Sequence, residues 1–192
     1  MRSCVWAVLG GALLALGACT GPAQPPAQPS YRPIATIKDI MDSMVDPSAD
    51  ALWNSVATIV SADGVEERAP HTDDEWTDAR RHALRLLEAT NLLIMPNRAV
   101  ARPGEKSENP GIELGPEDIQ KVIDGDRADY LRLVQALYDA ALPMLKATHD
   151  KDAKALFDTG DALDAACENC HIKYWYPADA KPENAPSLRD KR

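Results

Sequence analysis

The sequence is poor in aromatic residues and in positive charge. Aromatic side chains make up only 5% of its 192 residues and Phe occurs once, so a core must be built mainly from aliphatic side chains and Ala. That composition disfavours an aromatic-rich β-sandwich and is typical of helical bundles. Lys and Arg number 21 against 30 Asp and Glu, and the formal charge of -9 repels a phosphate backbone. We therefore expect one acidic, helical domain that does not bind nucleic acid.

Residues 1–18 have the pattern of an export signal. They include Arg2 and an apolar run over residues 5–16, which is too short to span a bilayer. The run ends in the letters LGAC, which resemble the lipobox of bacterial lipoproteins and imply that Cys19 is acylated after cleavage. The alternative is cleavage elsewhere, with Cys19 as a bystander. Because Thr20 is not the Asp that retains a lipoprotein in the inner membrane, we expect a periplasmic protein anchored to the outer membrane.

Proline-rich sequence separates this signal from the rest of the chain. Residues 19–33 hold the lipidated Cys and five Pro, a composition that favours an extended tether. Residues 177–192 hold three more Pro among charged and small residues, and we expect them to form a flexible tail. The folded domain is therefore expected over residues 34–176.

Four stretches of this domain have the hydrophobic spacing of amphipathic helices, without convincing strand alternation. The first begins near Ile37, is interrupted at Pro47, restarts with Asp46 as its N-cap and continues to Val60. The others run from an N-cap at Thr72 to Pro96, from Pro116 to about Leu145 with a weak point at 124–126 and a kink at Pro143, and from Asp150 to Tyr174. A long irregular connection lies between Pro96 and Pro116. We predict an all-α, antiparallel four-helix bundle.

The fourth helix carries Cys167-Glu168-Asn169-Cys170-His171, which is the C-x-x-C-H attachment signature of c-type haem. Each Cys sulfur can add to one vinyl group of the porphyrin, and His171 can reach the iron as the proximal ligand. A thioredoxin-like pair would open a helix in a βαβ setting. A zinc site would need further ligands, but Cys19 belongs to the anchor and Cys4 to the signal. We expect one covalent haem c near the C-terminal helix.

A C-x-x-C-H-x-x-Tyr motif on the last of four helices resembles class II c-type cytochromes, the cytochrome c prime group and its low-spin relatives. The resemblance covers roughly residues 34–176, and only the haem-binding segment is specific. Because Tyr174 lies one turn after His171, we expect it to pack at the haem edge. Family members usually continue with Tyr-Arg or Tyr-Lys, whereas this chain has Tyr174-Trp175. Class II relatives often form dimers through their first helices, so a homodimer is one expectation and a tethered monomer the other.

The ligand at the sixth iron position separates two functions. In low-spin relatives a Met from the first helix fills that position, whereas cytochrome c prime leaves it open for small gases. Met41 and Met44 both lie on the apolar face of the first helix, and each is a candidate distal ligand. Both could instead fill the core.

Our first hypothesis is a membrane-anchored, single-haem electron carrier that transforms no substrate and docks on redox partners with basic patches. The alternative is a five-coordinate protein that binds nitric oxide or carbon monoxide. A small peroxidase is disfavoured, because the first helix offers no polar acid-base pair.

Overall fold

The computed structural model describes residues 31–110 and 112–177, which are mostly helical with one small sheet. This confirms the predicted class as far as its helical character. The predicted export signal, the acylated Cys19, most of the tether and nearly all of the tail lie outside the described residues. Within the described ranges, no helix is both long enough and apolar enough to cross a membrane.

The elements follow one another from Ile37 to Tyr174. The helical ones are α1 (Ile37–Ile40), a π turn (Met41–Val45), α2 (Asp46–Ser55), α3 (Asp73–Leu93), α4 (Pro116–Gly125), α5 (Arg127–Asp150), α6 (Ala153–Asp158) and α7 (Gly160–Tyr174). Strands β1 (Ala57–Ser61) and β2 (Gly64–Arg68) form an antiparallel pair between α2 and α3.

The first helical stretch passes Pro47 without the predicted interruption. Thr36 begins the stretch in a capping box with Asp39, and the backbone stays helical through the π turn into α2. Asp46 is therefore inside the helix and is not the N-cap that we predicted. A Pro inside a helix has no N–H, and its ring clashes with the carbonyl four residues earlier. The wider π turn, which ends two residues before Pro47, gives the ring more room.

The prediction of helix up to Val60 is wrong, because α2 ends at Ser55 and a β-hairpin follows. Residues 57–60 read Ala-Thr-Ile-Val, and β-branched side chains favour extended backbone. Gly64 follows the turn with a φ of +135°, a conformation that L side chains rarely adopt. Val60 and Val65 face each other across the strands and are mostly exposed, so the hairpin adds little to the core.

The other predicted helix boundaries lie closer to the structure. The hydroxyl of Thr72 accepts a hydrogen bond from the Glu75 N–H (3.2 Å), and the Glu75 carboxylate accepts from the Thr72 N–H (2.8 Å), which begins α3 at the predicted N-cap. Helices α4 and α5 meet at Asp126, within the predicted weak point, and α5 continues through Pro143. The fourth stretch is divided into α6 and α7 at Thr159-Gly160, because these residues favour helix interiors poorly.

One core connects the long helices. Helix α3 packs against α2 and α5, and α5 packs against α7. The indole N–H of buried Trp53 in α2 donates to the carbonyl of Gly160 at the start of α7 (3.2 Å). The largest side chains that are fully buried are mainly aliphatic, as the composition predicted: Ile40, Leu52, Leu86, Leu93, Met144, Leu156 and Leu163. This core holds the first helical stretch near α7, where the candidate site lies.

Candidate cofactor-binding site

A mostly apolar cavity lies between the first helical stretch, α4 and the end of α7. Its empty volume is about 870 Å³, part of it open to solvent. Pockets that hold cofactors typically have apolar walls with a few polar groups. The lining side chains that bear on function come from five parts of the chain: Ile37 and Met41, Val100 and Leu114, Ile119 and Ile123, Tyr130, and Cys170, His171, Tyr174 and Trp175.

The C-x-x-C-H motif occupies the last turns of α7. Cys170 and His171 line the cavity, while Cys167, one turn earlier on the same side of the helix, is buried in the core. Both cysteines are free thiols. Burial raises the pKa of the Cys167 thiol to about 12 and that of Cys170 to about 11, with the Asp129 carboxylate adding to the second shift.

These thiols lack the character of a dithiol redox pair. Reactive cysteines have a lowered pKa, commonly at a helix N-terminus, because only the thiolate is a nucleophile. Cys167 and Cys170 lie near the C-terminal end of α7, where the helix dipole disfavours an anion. In both respects these thiols differ from the reactive cysteine of a thioredoxin-like pair.

His171 lies half-buried at the cavity wall against two aromatic rings. The Trp175 ring meets the imidazole edge-on at 5.0 Å between centroids, and the Tyr176 ring is tilted at 6.0 Å. The backbone carbonyl of His171 accepts a hydrogen bond from the Trp175 N–H (2.7 Å), which closes the last turn of α7. These contacts restrict the imidazole from the side of the helix end.

Tyr174 lines the cavity with a hydroxyl that has no partner. Its side chain is only 4% exposed, and among the described residues its Oη makes no hydrogen bond. The Tyr130 ring packs edge-on against it at 5.7 Å, while the Tyr130 hydroxyl donates to the Leu93 carbonyl (3.3 Å). Burial, with a contribution from Asp129, raises the pKa of Tyr174 to about 12. Buried polar atoms are nearly always satisfied, so this hydroxyl is placed to bond with water or with another group in the cavity.

Of the two candidate methionines, Met41 lines the cavity. It is half-buried on the π turn, and Ile37 from the preceding turn lines the same wall. Met44 also packs partly buried against the core, but it is not among the cavity-lining residues of the described chain. The structure thus brings Met41 together with Cys170, His171 and Tyr174 and leaves Met44 apart.

The long connection between α3 and α4 forms the remaining wall, a role that the sequence analysis did not assign. Its backbone carbonyls at Ala99 and Val100 accept hydrogen bonds from the N–H groups of Ile37 and Lys38 at the start of α1, both at 2.9 Å. At its other end, the Leu114 N–H donates to the Trp175 carbonyl beyond α7 (2.7 Å). The loop therefore connects the two helix ends that carry Met41 and His171. In the sequence, the length of this connection was the one feature that could have indicated such a role.

Arg98 fixes the start of this loop. The residue is 7% exposed, and its Nε donates to the Leu92 carbonyl at the end of α3 (2.8 Å). One terminal nitrogen donates to the Ala35 carbonyl just before α1, and the other contacts the Met95 sulfur at 3.1 Å. A buried guanidinium thus joins α3, α1 and the loop.

An ion-pair cluster lies beside Tyr174. Lys173 pairs with Asp129 on α5 and approaches Asp126 at 3.7 Å, and Arg132 pairs with Asp129 at 2.6 Å. These cations lower the pKa of the Asp129 carboxyl, and its hydrogen bond raises the pKa of Lys173. The basic side chain next to Tyr174 is therefore on the residue before it, not on the residue after it as in the family pattern.

Comparisons with known proteins give no relative: no family model, no curated protein and no solved structure matches the chain. Across the part of the chain that the structure describes, no group of three His, Cys, Asp or Glu is placed to hold a metal ion. The interpretation of the site therefore depends on its own residues.

Proposed function

We propose that the chain is a single-haem c-type cytochrome that carries electrons, folded as an antiparallel four-helix bundle like the class II cytochromes. The four long helices would be the first stretch with its π turn, α3, α5 and α7. One observation carries the proposal: a single apolar cavity is lined by Cys170 and His171 of the C-x-x-C-H motif and, from a helix far away in sequence, by Met41. Such a donor set suits haem c with His and Met ligands.

The residues of the cavity fit this cofactor. Cys167 and Cys170 lie on one side of α7 and would hold the porphyrin through two thioether bonds. His171 would be the proximal ligand, held by the Trp175 ring, and Met41 the distal ligand. The bound haem iron would supply a one-electron couple, and a Met thioether ligand would raise its reduction potential and so favour the ferrous state. Ile, Leu and Val side chains make most of the wall apolar, and Tyr174 offers a hydroxyl without a partner among the described residues.

Partners and location follow from charge and from the N-terminal sequence. An overall charge of -9 would steer the protein toward a redox partner with a basic patch, with a rate that falls as salt rises. Acylation at Cys19 would place this exchange at the periplasmic side of a membrane. These assignments rest on the sequence patterns alone.

The proposal is tested by mass and by absorption spectra of protein made in a host that attaches haem to C-x-x-C-H motifs. We expect the mass of one haem, retained after acid-acetone extraction, and its loss in the double variant Cys167→Ala, Cys170→Ala. A polypeptide that carries only its amino-acid and acyl mass contradicts the proposal.

The distal ligand is tested on the same protein. Met-to-iron ligation gives ferric haem a weak far-red absorption band, and Met41→Ala should abolish it while the matched control Met44→Ala keeps it. A high-spin ferric spectrum in the unmodified protein, with rapid carbon monoxide binding to the ferrous form, would instead support the gas-binding alternative. Loss of the band in Met44→Ala only would reassign the ligand.

A further inference from the structure

The π turn before Pro47 sets which side chains of the first helix face the cavity. Ile40 and Val45 are both buried in the core although they are five positions apart, one more than the spacing that aligns side chains in an α-helix. The Asp46 N–H donates to the Met41 carbonyl, which is the hydrogen bond that defines the wider turn. One extra residue rotates everything before it by about 100° relative to α2.

The rotation decides what occupies the cavity wall. In a regular α-helix, the side chain that lies beneath Val45 belongs to the residue four positions earlier, which is Met41. Met41 would then occupy the buried position that Ile40 has now. Asp42 already lines the cavity beside Met41, paired with Lys38 at 2.7 Å, and it would then take the place that Met41 now has. A carboxylate would face the apolar space in place of a thioether. The π turn is thus what presents Met41.

Pro47 is the residue that favours this turn. In an α-helix its nitrogen would donate to the Ser43 carbonyl, and in a continued π-helix to the Asp42 carbonyl, but Pro has no N–H for either bond. The π turn ends two residues before Pro47, and from within it the Ser43 hydroxyl donates to the Asp39 carbonyl of α1 (2.5 Å). With an ordinary residue at position 47, the α hydrogen bond to Ser43 would form and favour the narrower turn.

We propose that Pro47 is a positioning residue that, through the π turn, directs the Met41 side chain into the cavity. The orientation of the Met41 side chain does not depend on the presence of haem. Its use as a ligand to iron rests on the function proposed above. Pro47 is exposed and does not line the cavity, so it acts through the backbone.

The experiment is NMR on protein whose methionine methyl groups are isotope-labelled, with the Met41 signal assigned by its absence in Met41→Leu. In the unmodified protein, the Met41 methyl should show contacts inside the cavity, with aromatic rings such as Tyr130 and Tyr174 or, if haem fills the space, with the porphyrin. In Pro47→Ala we expect these contacts to be lost and replaced by contacts with core residues of α3. Ala is a strong helix former, so the variant should fold.

Pro143→Ala is the matched control. Pro143 is also an exposed helix-interior Pro, and it lies about 20 Å along α5 from Tyr130. It should leave the Met41 contacts unchanged. Retained contacts in Pro47→Ala, or equal loss in both Pro variants, would overturn the proposal.

A second readout separates this proposal from the function. If the unmodified protein carries haem with the far-red band, Pro47→Ala should lose the band while keeping the covalent haem mass. A band that survives in Pro47→Ala refutes the role of Pro47 and leaves the cytochrome assignment intact. If the unmodified protein carries no haem, the assignment fails, and the methyl contacts still decide the role of Pro47.

Discussion

Replacing Arg98 with Ala should destabilise the protein more than any other change to a charged side chain of the loop. The guanidinium makes two charged hydrogen bonds to backbone carbonyls, of Leu92 and Ala35, in a place that is 7% exposed. Hydrogen bonds from charged groups contribute about 1.5–3 kcal/mol each, and a buried carbonyl left without a donor costs about 1–3 kcal/mol. Because water can enter the space left by the side chain, we expect a net loss of about 3 kcal/mol in the free energy of unfolding.

Urea unfolding followed by circular dichroism measures this loss, and it should appear as a lower midpoint with an unchanged slope. For a domain of this size, about 3 kcal/mol corresponds to a fall of about 6–12 °C in Tm. Arg102→Ala is the control from the same loop. Arg102 pairs with Asp39 at 2.5 Å at the exposed surface, and such pairs contribute little, so its loss should be clearly smaller. If Arg98→Ala is no more harmful than Arg102→Ala, Arg98 is not the anchor that we describe.

Three further changes test the helix start and the interhelical contact. Thr72→Ala removes the side-chain half of the capping box and should cost about 1 kcal/mol in urea unfolding, with Thr72→Ser close to the original. Hydrogen bonds from the His71 and Thr72 backbone lower the pKa of the Glu75 carboxyl in the folded protein. The ionised Glu75 therefore adds to the free energy of unfolding above its unfolded pKa of about 4.3, and this contribution is lost as pH falls through its folded pKa. Glu75→Gln should therefore flatten the acid side of a stability-versus-pH curve, and an unchanged curve would contradict this. Trp53→Phe removes the bond to the α7 backbone and should cost about 1–3 kcal/mol, measured by thermal unfolding, whereas no loss would mean that water replaces it.

The sequence was a good guide wherever a local rule decides the structure. The capping box at Thr72, the break near Asp126 and the end of α7 at Tyr174 each follow from a few neighbouring residues, and the structure has them where expected. The C-x-x-C-H motif is equally local, and its Cys170 and His171 both line the cavity. Its role in binding haem stays a prediction.

Predictions failed where two local preferences compete. Val56, Ile59 and Val60 fit a helical apolar face, but only Val56 is buried in the core. Ile59 and Val60 are exposed, so their β-branched side chains and Gly64 favour a hairpin without losing core contacts. At Pro47 the reverse occurred: a Pro was expected to stop the helix, yet burial on both sides, at Ile40 and Leu52, holds it together through a widened turn. The spacing of hydrophobic residues alone predicts neither the hairpin after α2 nor the continuous helix at Pro47.

The role of the loop before α4 could not be predicted, because it depends on contacts between distant parts of the chain. Its bonds to Ile37 and Lys38 at one end and to Trp175 at the other exist only once the first helix and α7 have packed together. Loop order and cavity shape are therefore coupled. Anything that binds the cavity also stabilises the loop, by an amount set by its affinity for the folded state. A covalent occupant held by Cys167 and Cys170, as proposed above, would exert this effect permanently.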